Sequence, residues 1–208
     1  MVGGLQMANL VYQSFTQALD AHFDWWLALS SGIGCDPTAP NSENCTTTYN
    51  SNGWNDGLAR ILTQQVYYDP NYATNGNYAL YTTKRYFVMK HLSQFIEYGA
   101  VRYDVDVESG NAPSSLALRV LAFKTGDDNN EGDSGKASVD KKSIANGGSG
   151  WTILLMNLGP TEISVDLPGN IGRLKRVVRT SPEEDWADLS NYDTVLPALS
   201  TTTIITDL

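Results

Sequence analysis

The sequence predicts a chain written in two grammars: an α/β segment over residues 1–99, then an antiparallel β-sandwich over residues 100–208. Three observations predict it. Apolar residues recur at three- and four-residue spacing in two early segments that flank a short apolar run. At Val101 the pattern switches to strict alternation. Short strand-like runs separated by turn-rich stretches then continue to the end of the sequence.

Met7, Leu10, Val11, Phe15, Ala18 and Leu19 form one face of a helix over about Leu5–Leu19. The run His22–Leu29 is too short and too apolar for a surface helix, and reads as a strand buried on both faces. Residues Ser30–Asp56 form a long loop of Gly, Pro, Asn, Ser and Thr, a length that usually carries function. Gly57–Tyr68 reads as a strand or an extended run. A second helix follows over Thr83–Glu97, with Thr82 or Thr83 as cap, Gly99 at its end, and Val88, His91, Leu92, Phe95 and Ile96 inward. His91 has no cluster of His, Cys or carboxylates beside it in the sequence, so it is expected to be a packing residue and not a metal ligand. Beyond Gly99, Val101, Tyr103, Val105 and Val107 alternate with Arg102, Asp104, Asp106 and Glu108, which places the four apolar side chains inside. Further strands are expected at Leu116–Lys124, Trp151–Asn157, Glu162–Leu167, Leu174–Arg179 and Thr201–Thr206.

Composition narrows the function. The 208 residues carry a formal charge of −9, and charged residues make up 18% of the chain. A phosphate-binding surface needs clustered Lys and Arg, so nucleic acid is excluded as the main partner. No apolar run approaches a membrane span. The acidic loop Gly126–Gly135 begins like a calcium loop, but its last ligand position falls on Ser138, and it reads as a solvated hairpin loop. Glu183, Glu184 and Asp185 likewise read as a solvated turn. No cofactor or metal is expected.

The loop holds both cysteines, Cys35 and Cys45, beside the glycosylation acceptor Asn44-Cys45-Thr46. A disulfide between them and a glycan on Asn44 fit an oxidising compartment. Met1–Leu10 has neither the basic start nor the continuous apolar run of a signal peptide. A secreted composition without a leader leads to the expectation that the chain is part of something longer.

Asp24-Trp25-Trp26-Leu27-Ala28-Leu29, then Lys84-Arg85-Tyr86-Phe87, then the run from Leu92 through Ser93-Gln94-Phe95-Ile96 and Gly99-Ala100-Val101-Arg102 resemble the C-terminal part of glycoside hydrolase family 30, nearest its fungal endo-β-1,6-galactanase branch. The resemblance implies that residues 1–99 are the last elements of a (β/α)8 barrel and residues 100–208 its attached β-sandwich. It implies a retaining, extracellular parent enzyme acting on a β-linked polysaccharide or oligosaccharide. A barrel needs about 250 residues, so the acid/base and nucleophile glutamates of the family would lie upstream of Met1. Neither Glu43 nor Glu97 replaces them, and no residue of this chain is expected to be catalytic. Trp25 would be the sugar platform, with Trp54 and Asn55 as further substrate contacts, and Trp26 would pack under the helices. The isolated chain is then expected to be inactive, poorly soluble, and prone to self-association through exposed barrel elements. A different reading is a non-catalytic carbohydrate-binding module, with Tyr103, Trp151, Trp186 and Tyr192 as the aromatics to inspect. A gene-model fragment without function of its own is a third.

Overall fold

The computed structural model describes residues 1–26, 28–33, 58–62, 80–107, 117–125 and 150–207. Helix α1 (Val2–Gln13) runs into a π-helical turn, Ser14–Ala18, which Leu19 ends in the left-handed conformation at φ 58°. Helix α2 spans Lys84–Ser93. The helical periodicity was therefore legible, but the inner face of α1 is narrower than expected. Met7 and Val11 are buried and Phe15 half-buried, whereas Leu10, Ala18 and Leu19 face solvent. The left-handed Leu19 and the wider π turn rotate the last residues away from the face that Met7 and Val11 define. Helix α2 also stops earlier than the sequence implied. Gly99, at φ +83°, serves the turn into the next strand and not the helix end. Thr83 holds the N-cap position, but its hydroxyl donates to the Leu58 carbonyl at 2.7 Å and caps no helical N–H.

A small three-stranded sheet joins β1 (Leu29–Ile33), β2 (Ala59–Leu62) and β3 (Leu80–Thr82). β1 pairs parallel to β2, and β2 antiparallel to β3. The strand expected at His22–Leu29 is displaced, because ladder pairing begins only at Leu29, opposite Ala59. Residues 22–26 are outside the ladder, and Phe23 and Trp25 pack against the helical core instead.

The main sheet has six strands, all paired antiparallel: β4 (Val101–Tyr103), β5 (Leu118–Thr125), β6 (Gly150–Asn157), β8 (Arg173–Thr180), β9 (Ala187–Leu189) and β11 (Ser200–Asp207). Their spatial order is β4-β5-β6-β11-β8-β9. The short strands β7 (Ile163–Ser164) and β10 (Val195–Leu196) form a separate two-stranded ladder. Long β5, β6, β8 and β11 fall close to the strands expected, while β9 and β10 carry no alternation long enough to be read.

Alternate residues of the main sheet feed two cores. On one face Leu121, Phe123, Leu154 and Met156 pack against Met7, Ala8, Val11, Val88 and Leu92 of the helices. The Phe15 ring meets Phe123 edge-on at 5.6 Å. At Gly4 a Cβ would stand 3.2 Å from the Lys84 backbone, so the helices meet at a residue without a side chain. On the other face Leu118, Ala122, Ile153, Leu155, Val177 and Ile204 pack with Ile163 and Leu196 of the β7–β10 ladder. Each fully buried Val, Leu or Ile contributes roughly 1.5–3 kcal/mol relative to exposure.

Contrary to the expectation, the alternation at Val101–Val107 does not bury its apolar side, and of the polar residues only Arg102 is sheltered. Only Val101–Tyr103 pair as strand, and Val101, Tyr103, Val105 and Val107 are exposed. Arg102 lies opposite Phe123, on the helix-covered face, and is the more sheltered side chain. The reason is position: β4 is an edge strand, and period two fixes which side chains share a face but not which face is covered.

His91 ties the helical layer to the sheet. It is completely buried, with Nδ1 2.8 Å from Thr203 Oγ1 and Nε2 2.9 Å from Thr180 Oγ1. Thr180 Oγ1 donates its proton to the Asp185 carbonyl at 2.7 Å, so it accepts from His91 Nε2–H, and Nδ1 accepts from Thr203. This satisfied neutral imidazole is the packing histidine the sequence suggested. Burial, and secondarily the charge of Lys90, lower its pKa to about 3. Between about pH 6.5 and about pH 3 the unfolded chain binds a proton that the folded chain refuses. Stability is thus complete above about pH 6.5 and declines as pH falls, by up to about 1.4 kcal/mol per unit. Urea titrations should show wild type more stable than His91→Gln at pH 7, with the gap shrinking by pH 4; a constant gap would contradict this account.

Asn157, also fully buried, ends β6. Its Nδ2 donates to the carbonyls of Thr161 at 2.7 Å and Pro197 at 2.9 Å, and its Oδ1 accepts from the Gly159 N–H at 3.0 Å. Asn157→Ala leaves these backbone groups unpaired, at a cost of about 1–3 kcal/mol. The urea midpoint should fall with an unchanged slope.

Candidate functional site

Over residues 22–26, between the π turn and β1, burial alternates along the chain. Phe23 and Trp25 turn toward the helical core, where both are half-buried. Their rings stack at 6.4 Å with an interplanar angle of 20°. His22, Asp24 and Trp26 turn outward, and Trp26 is 76% exposed. The two tryptophans do point to opposite sides, but Trp26, expected under the helices, is the solvent-facing one. Phe23 and Trp25 take the places against the core, which leaves Trp26 outward. His22 Nε2 lies 3.4 Å from Asp24 Oδ2, a solvent-exposed pair of little energetic weight.

Trp54, Asn55, Cys35, Cys45, Asn44 and Glu43 lie outside the described residues, as does the acidic loop at 126–135. Glu97 is exposed in the turn after α2. Among the described residues no three His, Cys, Asp or Glu side chains gather as a metal site. No helix among them is long and apolar enough to cross a membrane.

The turn Glu183–Asp185, expected to be merely solvated, is a docking element. Arg179 holds the Glu184 carboxylate with two bonds, at 2.6 and 2.8 Å. The guanidinium keeps that carboxyl below its ordinary pKa. Lys84, the first residue of α2, donates to the Ser181 and Glu184 carbonyls at 2.6 and 3.0 Å and pairs with Asp185 at 2.8 Å. A lysine at a helix N-terminus opposes the helix dipole, and these three oxygens offset that. Sequence reading missed this because the partners are about a hundred residues apart.

The four aromatics singled out for the sandwich divide likewise. Trp186 stacks on Phe95 at 5.8 Å and carries Lys90 over its ring at 4.0 Å. The Tyr192 hydroxyl donates to the Val165 carbonyl at 2.7 Å, and burial raises its pKa. Tyr103 meets Trp151 edge-on, at 5.0 Å and 70°. Trp186 and Tyr192 are thus engaged within the fold, whereas Tyr103 is 39% exposed.

No protein-family model and no curated protein matches the sequence. Solved structures do match the fold. A conserved exported protein from Bacteroides fragilis aligns with 98% of this chain and 33% of its own, at TM-score 0.62 and 15% identity. The catalytic domain of GH30 xylanase C from Talaromyces cellulolyticus aligns with 98% of this chain and 35% of its own, at TM-score 0.60 and 16% identity. The glycoside hydrolase family 30 subfamily 8 xylanase Xyn30A from Clostridium acetobutylicum aligns with 99% of this chain and 39% of its own, at TM-score 0.55 and 18% identity. At such identities the likeness is one of fold: nearly the whole chain is similar in architecture to a part of glycoside hydrolase family 30 xylanase domains, and it spans 33–39% of the length of these three solved structures.

Proposed function

We propose that residues 1–208 form the C-terminal portion of a retaining glycoside hydrolase that cleaves a β-linked polysaccharide outside the cell. In this reading residues 1–99 are the last helix and strand units of a (β/α)8 barrel, and residues 100–208 are its β-sandwich. One observation carries the reading: the fold matches family 30 xylanase domains over 98–99% of this chain but only 35–39% of theirs. The parallel β1–β2 pair supports it, since parallel neighbours need a long crossover. So do exposed Leu10, Leu19 and Trp26, apolar surface of the kind that further barrel elements would cover. The family resemblance assigns the sugar platform to Trp25, an indole face that would pack on the C–H face of a pyranose, although in this chain its ring is half-buried against the helical core. Trp54 and Asn55 are the further substrate contacts of the same reading. Retaining chemistry needs two carboxyls about 5–5.5 Å apart across one sugar, and in this reading both belong to the upstream barrel. The glycan is xylan or β-1,6-galactan.

The full-length transcript tests this. It should encode, in frame before Met1, six further barrel strands and two glutamates; a transcript without them would overturn the reading. Residues 1–208 alone should hydrolyse neither xylan, β-1,6-galactan nor an aryl glycoside. Turnover by this chain that disappears on changing one of its own carboxylates would show the machinery to be here.

An accessory carbohydrate-binding module remains the competing reading. Exposed aromatics on one sandwich face would support it: Tyr103 is 39% exposed beside Trp151, whereas Trp186 and Tyr192 are engaged by Phe95 and by the Val165 carbonyl.

The Cys35–Cys45 disulfide and the Asn44 glycan belong to the same extracellular reading. Chain produced through a secretory pathway should resist thiol alkylation until it is reduced. Two thiols that alkylate without reductant would remove the disulfide from the proposal.

A further inference from the structure

The outer edge of the main sheet is a self-complementary strand. β4 pairs with β5 on one side, and among the described residues it has no strand neighbour on the other. Its apolar residues, and those of the segment that follows it, remain in solvent: Val101 is 57% exposed, Tyr103 39%, Val105 40% and Val107 46%. All four fall on one parity of the alternation, the side on which Tyr103 meets Trp151. Arg102, Asp104 and Asp106 fall on the other, where Arg102 Nη1 lies 2.6 Å from Asp104 Oδ1.

We propose that this edge pairs two copies of the chain antiparallel about a two-fold axis at Tyr103, extending the sheet across both. Charge selects the occupant and the register. Pairing that keeps the apolar residues on one face must move in steps of two. Centred on Arg102 it sets Arg102 opposite itself, and centred on Asp104 it sets Asp104 opposite itself. Like charges directly opposite are destabilising. Centred on Tyr103, Arg102 of each copy faces Asp104 of the other, and Val101 faces Val105. The internal Arg102–Asp104 pair then becomes a four-membered ring of alternating charge. On the opposite face the two Tyr103 rings meet between two Trp151 rings, which covers the exposed apolar row. The sandwich edge, not the barrel elements, is thus the self-association surface.

Sedimentation equilibrium of the 208-residue chain at low salt, over a hundredfold range of concentration, should show a monomer–dimer equilibrium. Asp104→Arg alone and Arg102→Asp alone each replace two attractive pairs by two like-charge pairs, and each should weaken the dimer about tenfold or more. The double variant Arg102→Asp/Asp104→Arg exchanges the partners and should bring the dimer back to within about threefold of wild type. Asp104 is almost fully exposed, so its variant also controls for folding, which circular dichroism should find unchanged. A chain that stays monomeric throughout, or a dimer indifferent to the single swaps, overturns the proposal.

Discussion

The structure depends on the seam where the two helices meet the antiparallel sheet, and above all on His91. Neither layer buries its apolar face without the other. Met7, Val11, Val88 and Leu92 need Leu121, Phe123, Leu154 and Met156, and the reverse holds. Apolar contact alone lets a helix slide or rotate, since the hydrophobic effect has no direction. The imidazole supplies direction, because it has one donor and one acceptor and each has one threonine to meet. Thr180 lies on β8 and Thr203 on β11, adjacent in the sheet. One side chain therefore registers α2 against two strands.

Around that point, contacts to the charged groups of α2 add a second set of constraints. Lys90, Trp186, Phe95 and Arg176 form a continuous stack of cation, two rings and cation at 4.0, 5.8 and 5.4 Å. Arg176 is held in turn by Asp188 at 2.6 and 3.0 Å. At the other end of α2, Lys84 is caught by the Ser181–Asp185 turn. The helix is thus gripped at both ends by segments that follow β8. Residues from both sides of the Gly99 turn share this core, so neither part packs without the other.

The two sides of the sheet differ in their completeness. The helix side is closed by large side chains, while the other side is closed by a two-strand ladder that reaches Leu196 and Ile163 but leaves Tyr103 and its neighbours in solvent. Exposed apolar residues on an edge strand are costly to leave alone. The same holds for Trp26 beside α1. These are separate surfaces: the first suits a strand partner of matching alternation, the second a covering of further apolar side chains.

Periodicity in the sequence was enough to find α1, α2 and the four long strands, because apolar spacing is a local record of which residues share a face. It was enough to place His91 as packing, since a lone histidine on an apolar helix face had no ligands near it. It also separated Trp25 from Trp26, since neighbours in an extended segment point apart. What it could not decide was which of two faces is covered. The apolar side of Val101–Val107 stays exposed, and of the two tryptophans it is Trp25 that meets the helical core and Trp26 that meets solvent. Sidedness depends on what packs against a segment, and those partners are far away in the chain: Phe123 for Arg102, the helical core for Trp25. The same distance concealed the Lys84 dock and the His91 threonines, about a hundred residues away. Local pattern encodes which side chains travel together, and only the assembled tertiary contacts give them a direction.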